Sequence, residues 1–285
     1  MPSLFRLTMI WVIREKKSRD VTMKLFDSHC HLDDRSYDDD LEAVIQRARQ
    51  DGIENMMTVG IDRETSVRAV EIASQFDGVY ASVGVHPHRA SSCSEPVMQI
   101  LSNLANHPRV CAWGETGLDF NRMYSPKADQ ETWFLRQVQA ADERRLPLIL
   151  HERDSHGRLL EMLKDHPDRN RRGVVHCFSG SRSELHAYLE LGYYIGITGI
   201  LTLHERGAQL RNLVGEIPLE RLLIETDAPY LTPAPQKNKT RRNEPAFVRS
   251  VLLKLAEIRA EDPETLSNVI SGNARRLFNI TEPSS

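Results

Sequence analysis

The chain has 285 residues, 40% hydrophobic and 27% charged, a composition of ordinary globular type with length enough for one large core and no run long enough to be a transmembrane helix. A formal net charge of −3 excludes the global basic footprint of a general DNA coat protein, although local arginines or bound cations can still receive a polyanion. Cys30, Cys93, Cys111 and Cys177 form no CxxC pair and read as small buried hydrophobes of a reducing, cytoplasmic compartment.

In chain order, residues 1–22 stand apart. LFRLTMIWVI is apolar and REKKSR after it is basic, the reverse of a secretory signal. This segment is expected to be a disordered extension or a mis-assigned start, with Met23 opening a single domain over 23–280. Short apolar, β-branched runs predict strands at 24–29, 53–60, 79–86, 110–114, 147–151, 173–178, 194–198 and 222–226. Helical periodicity lies between them: Leu41, Val44, Ile45 and Ala48 recur at i, i+3, i+4, i+7, as do Val97, Ile100, Leu101 and Leu104, then Val248, Val251, Leu252 and Leu255. A last helix over 263–277 is expected to bury Leu266, Val269, Ile270 and Leu277. The loop 232–245, rich in Pro, Lys and Arg, follows the eighth strand, and no linker divides the chain. Strands alternating with helices imply a parallel sheet with right-handed crossovers. No GxGxxG follows the first strand, which disfavours a dinucleotide fold. The predicted architecture is an α/β, single-domain (β/α)8 TIM barrel.

The polar residues fall where that fold builds active sites. In KLFDSHCHLD, His29 and His31 share a strand face, roughly 7 Å apart at Cα. Glu115 follows the fourth strand, His151 the fifth, His176 the sixth and Asp227 the eighth, all at C-terminal ends that meet at one mouth of a barrel. A lone strand histidine is more often a hydrogen-bonded core residue. Burying four histidines and two carboxylates together, however, costs several kcal/mol per unpaired charge, and a pair of divalent cations offsets this most directly.

The segments DSHCHLD (27–33), VGVHPH (83–88), GETGLDFNR (114–122), LILHERD (148–154), VVHCFSG (174–180), IGITG (195–199), LLIETDAPYL (222–231) and RRNEP (241–245) resemble the TatD family of metal-dependent hydrolases and nucleases. The resemblance runs from Met23 to about Asn279. It implies a site for two divalent ions: His29 and His31 on one with Asp227 beside it, His151 and His176 on the other, and Glu115 bridging. Both His29 and His31, which some members lack, are kept. Phe120 stands where many members carry a tyrosine, so a hydroxyl contact made there by relatives is absent.

Two ions can share and acidify one water and clamp the attacking and leaving oxygens. The mixed nitrogen and oxygen donors suit Zn, Mn or Mg. A metal-bound hydroxide is the expected nucleophile, with Asp227 as ligand and proton acceptor and Glu115 as the second catalytic carboxylate. Phosphodiesters lead as substrate, because arginine forks match phosphate oxygens: Arg122, Arg153, Arg241 and Arg242 are the candidate donors, and His86 a further substrate contact, while His88 could cap a loop. The run RNRR (169–172) belongs to the opposite barrel end. The resemblance implies a deoxyribonuclease trimming 3′ ends of single-stranded DNA, with proposed roles in repair or DNA fragmentation, and no obligate protein partner is inferred. Two rival classes stay open: an ester or amide hydrolase on the same barrel, including a D-aminoacyl-tRNA deacylase, and a non-catalytic nucleic-acid-binding barrel. Intact ligand positions argue against the second.

Overall fold

The computed structural model describes residues 23–281; the expectation for residues 1–22 lies outside the described residues. The first half runs β1 (Leu25–Cys30), α1 (Leu41–Gln50), β2 (Ile53–Val59), α2 (Arg63–Gln75), β3 (Val79–Val83), α3 (Glu95–Leu104), β4 (Val110–Asp119) and α4 (Lys127–Arg144). The second runs β5 (Leu148–Arg153), α5 (Arg158–Asp165), β6 (Gly173–Val175), α6 (Arg182–Glu190), β7 (Tyr194–Ile197), α7 (Ala208–Leu213), β8 (Leu222–Ile224), α8 (Ala234–Lys237), α9 (Val248–Arg259) and α10 (Pro263–Phe278). The eight strands form one parallel sheet in sequential order, as the alternation predicted.

The sheet closes on itself between β8 and β1. Cys30 and Ala228 form a parallel bridge, His31 N donates to Ala228 O at 2.7 Å, and Asp227 N donates to His29 O at 2.9 Å. Side chains complete this short seam. The buried Asp27 carboxylate accepts from Thr226 N at 2.8 Å and Thr226 Oγ1 at 2.6 Å, and burial pushes its pKa up to about 8. The closure therefore delivers His29, His31 and Asp227 to one place.

Inside the bore, Phe26, Met57, Val59, Ala112, Ile149, Val174, Tyr194 and Leu223 pack together with Tyr80 against them, so every strand contributes to the plug. The end of α10 seals it with Ala274, Leu277 and Phe278, the Phe26 and Phe278 rings lying 5.8 Å apart. Truncating Phe26 to alanine would cost about 3–5 kcal/mol. α1 and α9 bury the faces their periodicity marks, with Val44, Ile45 and Ala48 on α1 and Val248, Val251, Leu252 and Leu255 on α9. On α3 Leu101 is buried together with Met98, while Val97, Ile100 and Leu104, expected on the same face, are only half-buried. Val269, expected in the core, is only half-buried. Capping fixes several helix starts, with reciprocal Asp62–Thr65 and Ser181–Glu184 boxes on α2 and α6.

Three strand ends depart from the sequence pattern by three residues or more, those of β3, β4 and β6, and each departure shapes the mouth. β4 continues five residues beyond Gly114, pairing Gly117 with His151 and Asp119 with Arg153. Gly114 and Gly117 adopt φ of +147° and +150°, and a Cβ at Gly117 would collide with the His151 carbonyl, so glycine lets β4 bulge and hug β5 here. β3 ends at Val83 because His86 and Pro87 begin a 3-10 turn, with His86 Nδ1 accepting from His88 N at 3.0 Å. β6 ends at Val175, since Cys177 turns the chain with a φ of +48°.

Candidate metal centre

Glu115 lies at the middle of the mouth, on the bulged part of β4. Its Oε2 is 3.4 Å from His29 Nε2 and 4.0 Å from His31 Nε2. Its Oε1 is 2.7 Å from His151 Nδ1 and 3.4 Å from His86 Nε2. Asp227 Oδ1 stands 3.4 Å from His31 Nε2 and 3.6 Å from His29 Nε2. His176 lies between the two sets: its ring stacks on His29 at 3.5 Å, and its Nε2 is 3.8 Å from both Glu115 Oε1 and Asp227 Oδ1. The six residues expected to converge are thus brought together, with Asp227 turned inward by a φ of +57°.

The donor chemistry fits divalent ions. His29, His31 and Glu115 form one group whose ligand atoms lie within 4.8 Å of one another, and His86, Glu115 and His151 form a second. Glu115 is common to both. His29 and His31 Nε2 approach to 3.3 Å, and buried His29 Nδ1 has no hydrogen-bond partner, a costly arrangement for neutral imidazoles unless a cation gathers their lone pairs. Nitrogen donors mixed with carboxylates suit Zn, Mn or Mg.

Protons hold the charges together when no cation does. Burial would raise the Glu115 carboxyl, but His86 and His176 hold it well below the usual carboxylate range. Asp227 is lowered likewise by His31 and His176 against its burial. Burial lowers His86 to about 4 and draws His29 down too, helped by His176. His31 goes the other way: Asp227 overcomes burial and lifts it to about 10. Asp119 and Glu115 do the same for His151, to about 9. Glu225 and Glu115 raise His176 as well, against its burial, so raised imidazoles face lowered carboxylates, and an ion bound there would take the place of their protons.

Behind the donors stand two carboxylates that the sequence reading passed over. Asp119, fully buried, has Oδ2 2.6 Å from His88 Nε2 and 3.4 Å from His151 Nε2, while its Oδ1 accepts from Asn121 N and Arg122 N. Glu225, also fully buried, lies with Oε1 2.8 Å from His176 Nδ1, although that nitrogen makes no aligned hydrogen bond, and 2.5 Å from Cys177 N. Their signals were present: Asp119 in GETGLDFNR, and Glu225 two residues before Asp227 on the same strand exit. His86, expected as a substrate contact, sits among the donors themselves, and His88 reaches Asp119.

The arginines divide. Arg153 lines a cavity of about 540 Å³ that reaches His151, His176 and Asp227, together with His156, Ser179 and Arg206; the sequence reading did not single out Arg206. Arg122 and Arg241 are exposed beyond the strand ends. Arg242 is already engaged, donating to Asp40 at 2.7 Å through both terminal nitrogens, to Glu244 at 3.0 Å and to Ser36 O at 2.7 Å. A larger cavity of about 690 Å³ on the barrel flank, lined by Trp133, Arg136, His166 and Arg171, contains none of the donors.

The family profile described as TatD related DNase matches residues 26–279. The chain belongs to the TatD family. It is 42% identical over 258 residues to a protein of Klebsiella pneumoniae named 3'-5' ssDNA/RNA exonuclease TatD, covering 90% of this chain and 98% of that one. It is 38% identical over 256 residues to the Bacillus subtilis metal-dependent hydrolase YabD, covering 90% and 99%. Among solved structures, YJJV, a TatD homologue of Escherichia coli, superposes with a TM-score of 0.83 at 30% identity, covering 91% of this chain and all of that one. The barrel, its position in the family and a donor cluster able to hold metal ions therefore agree.

Proposed function

We propose that this TatD-family protein is a metal-dependent hydrolase that removes nucleotides from the 3′ end of single-stranded nucleic acid, DNA foremost. The observation that carries the reading is the carboxylate of Glu115, whose two oxygens serve two separate donor groups. His29, His31 and Asp227 would hold one divalent ion, His86 and His151 with His176 the other, and Glu115 both. Mg, Mn or Zn bound there would supply an activated water and a clamp on the phosphate oxygens. Asp227, kept ionised by its histidine neighbours, accepts the proton of the attacking water at its carboxylate. Arg153 and Arg206 grip phosphates along the cavity, while Arg122 and Arg241, exposed outside its lining, are left for phosphates farther along the strand. Arg242 ties the segment after α8 to Asp40 instead. The name of the Klebsiella relative supports the polarity and the single strand. The free thiols of Cys30, Cys93, Cys111 and Cys177 support a cytoplasmic setting.

The test is a panel of end-labelled single and double strands, DNA and RNA, each end blocked in turn, with added Mg, Mn or Zn and with a D-aminoacyl ester beside them. The expected result is stepwise shortening of single strands from a free 3′ end, absent in Glu115→Gln. Cleavage of the ester alone would transfer the site to the deacylase class.

A further inference from the structure

Large apolar side chains that remain in water are few. Among the described residues they are Val67, Met123, Tyr124, Leu191, Tyr230 and Leu253, and the two aromatic ones both stand at the barrel mouth. Tyr124, 67% exposed, follows β4, and Tyr230, 53% exposed, follows β8. Each packs at a steep angle against a histidine of the site. Tyr124 meets His88 with centroids 4.8 Å apart and planes at 79°. Tyr230 meets His31 at 5.9 Å and 67°. His88 leads through Asp119 to His151, on one side of Glu115, and His31 lies on the other. The two rings therefore flank the donor cluster, one beside each group.

Both rings sit on anchored backbone. Tyr230 N donates to Asp227 O at 2.8 Å, its carbonyl accepts from Asn243 Nδ2 at 2.6 Å, and its hydroxyl donates to Asp34 Oδ2 at 3.1 Å. The hydroxyl fixes the far end of the ring. Beside Tyr124, Ser125 Oγ donates to His88 O at 3.2 Å and accepts from Ser91 N at 3.1 Å. Ser125 O accepts from Gln130 Nε2 at 2.8 Å. Rings so placed are preorganised aromatic surfaces, not loose loop residues.

We propose that Tyr124 and Tyr230 are base-stacking platforms, each taking one unpaired base on its side of the phosphate that lies over Glu115. The inference rests on the exonuclease reading and deepens it, because it names what selects the single strand. Arginines hold phosphates of single strands and duplexes alike. A base lying on a tyrosine cannot also be stacked within a duplex, so the rings, not the charges, carry the preference.

The test compares Tyr124→Ala and Tyr230→Ala with Tyr124→Phe and Tyr230→Phe on a single-stranded oligonucleotide and on one whose last two 3′ nucleotides are abasic. Each alanine variant is expected to raise KM for the natural strand about tenfold, with kcat near wild type, while Tyr124→Phe keeps both and Tyr230→Phe, which loses the Asp34 anchor, raises KM by less than Tyr230→Ala. On the abasic strand, wild type and alanine variants should be alike. In a second measurement, 2-aminopurine at the 3′ end is quenched on binding without divalent ions, and the alanine variants lose the quench. Alanine variants matching wild type on the natural strand, or losing equally on both strands with a lowered Tm, would overturn the inference. A protein that quenches through its tyrosines and cuts nothing would sink the exonuclease reading alone. One that cuts with a KM indifferent to both rings would sink only the platforms.

Discussion

Glu115 meets His151 at 2.7 Å, Oε1 to Nδ1, and turns its second oxygen toward His29 at 3.4 Å. One carboxylate thereby joins two donor groups. Replacing it with glutamine keeps the volume but removes the charge that both groups share. Glu115→Gln is expected to lose metal from both sites together and to lower kcat/KM by more than about 100-fold, since even indirect partners of metal ligands are worth 10–100-fold. Metal content per chain, measured beside the exonuclease rate, checks this. A variant that retained a full complement of metal would remove Glu115 from the bridging role.

Metal loading should also stabilise the fold, because the donors come from β1, β4 and β5 and from the segments after β1, β3, β6 and β8. At about 100 times its Kd, a ligand that binds only the folded state contributes about 2.7 kcal/mol. For a chain of this size that corresponds to a Tm higher by about 5 °C or more. Thermal melts of chelated and reloaded protein measure the difference. Equal melts would mean that the cluster binds no ion under those conditions.

The barrel and the converging donors were legible because they repeat: eight apolar runs, with a donor at the exit of the first, fourth, fifth, sixth and eighth, say the same thing several times over. What was not legible depends on single backbone events. Glycine in GETG reads as the end of a strand, yet Gly114 and Gly117 allow β4 to continue at positive φ and so carry Asp119 into the site. The imidazole of His86 reads as a rim residue until the turn at Pro87 places its Nε2 3.2 Å from His151 Nδ1. Arg241 and Arg242 look alike in sequence. Only the fold brings Asp40, some 200 residues earlier in the chain, against the second of them.

That difference between arginines is measurable. Arg242→Ala is expected to act on stability, by about 1 kcal/mol for a partly exposed pair network, with KM unchanged. Its hydrogen bond is the main cause that lowers Asp40 to about 2. A depressed carboxyl stabilises above its unfolded value of about 4 and loses that contribution as pH falls toward 2. The stability gap between wild type and Arg242→Ala should therefore be constant above about pH 5 and close below pH 4 in denaturation curves. Arg153→Ala should do the opposite, leaving Tm in place while raising KM and flattening its dependence on salt.

Asp119 gives the most discriminating case, because it touches His151 on the nitrogen that does not face Glu115. Its Oδ2 lies 3.4 Å from His151 Nε2, while Nδ1 points to Glu115 and His86. The carboxylate thus sets the ring's orientation and electron density as a positioning residue, as partners of metal-bound histidines do. Asp119→Asn preserves size and removes the charge. Its expected effect is a 10–100-fold weaker affinity for one ion, with kcat recovering as metal concentration is raised and the other ion still bound. Titrations of activity against Mg, Mn or Zn, run with metal analysis at each point, separate this from a merely structural role: a variant whose lost rate no concentration of metal restores would show that Asp119 holds the β4 exit in shape and does not tune His151.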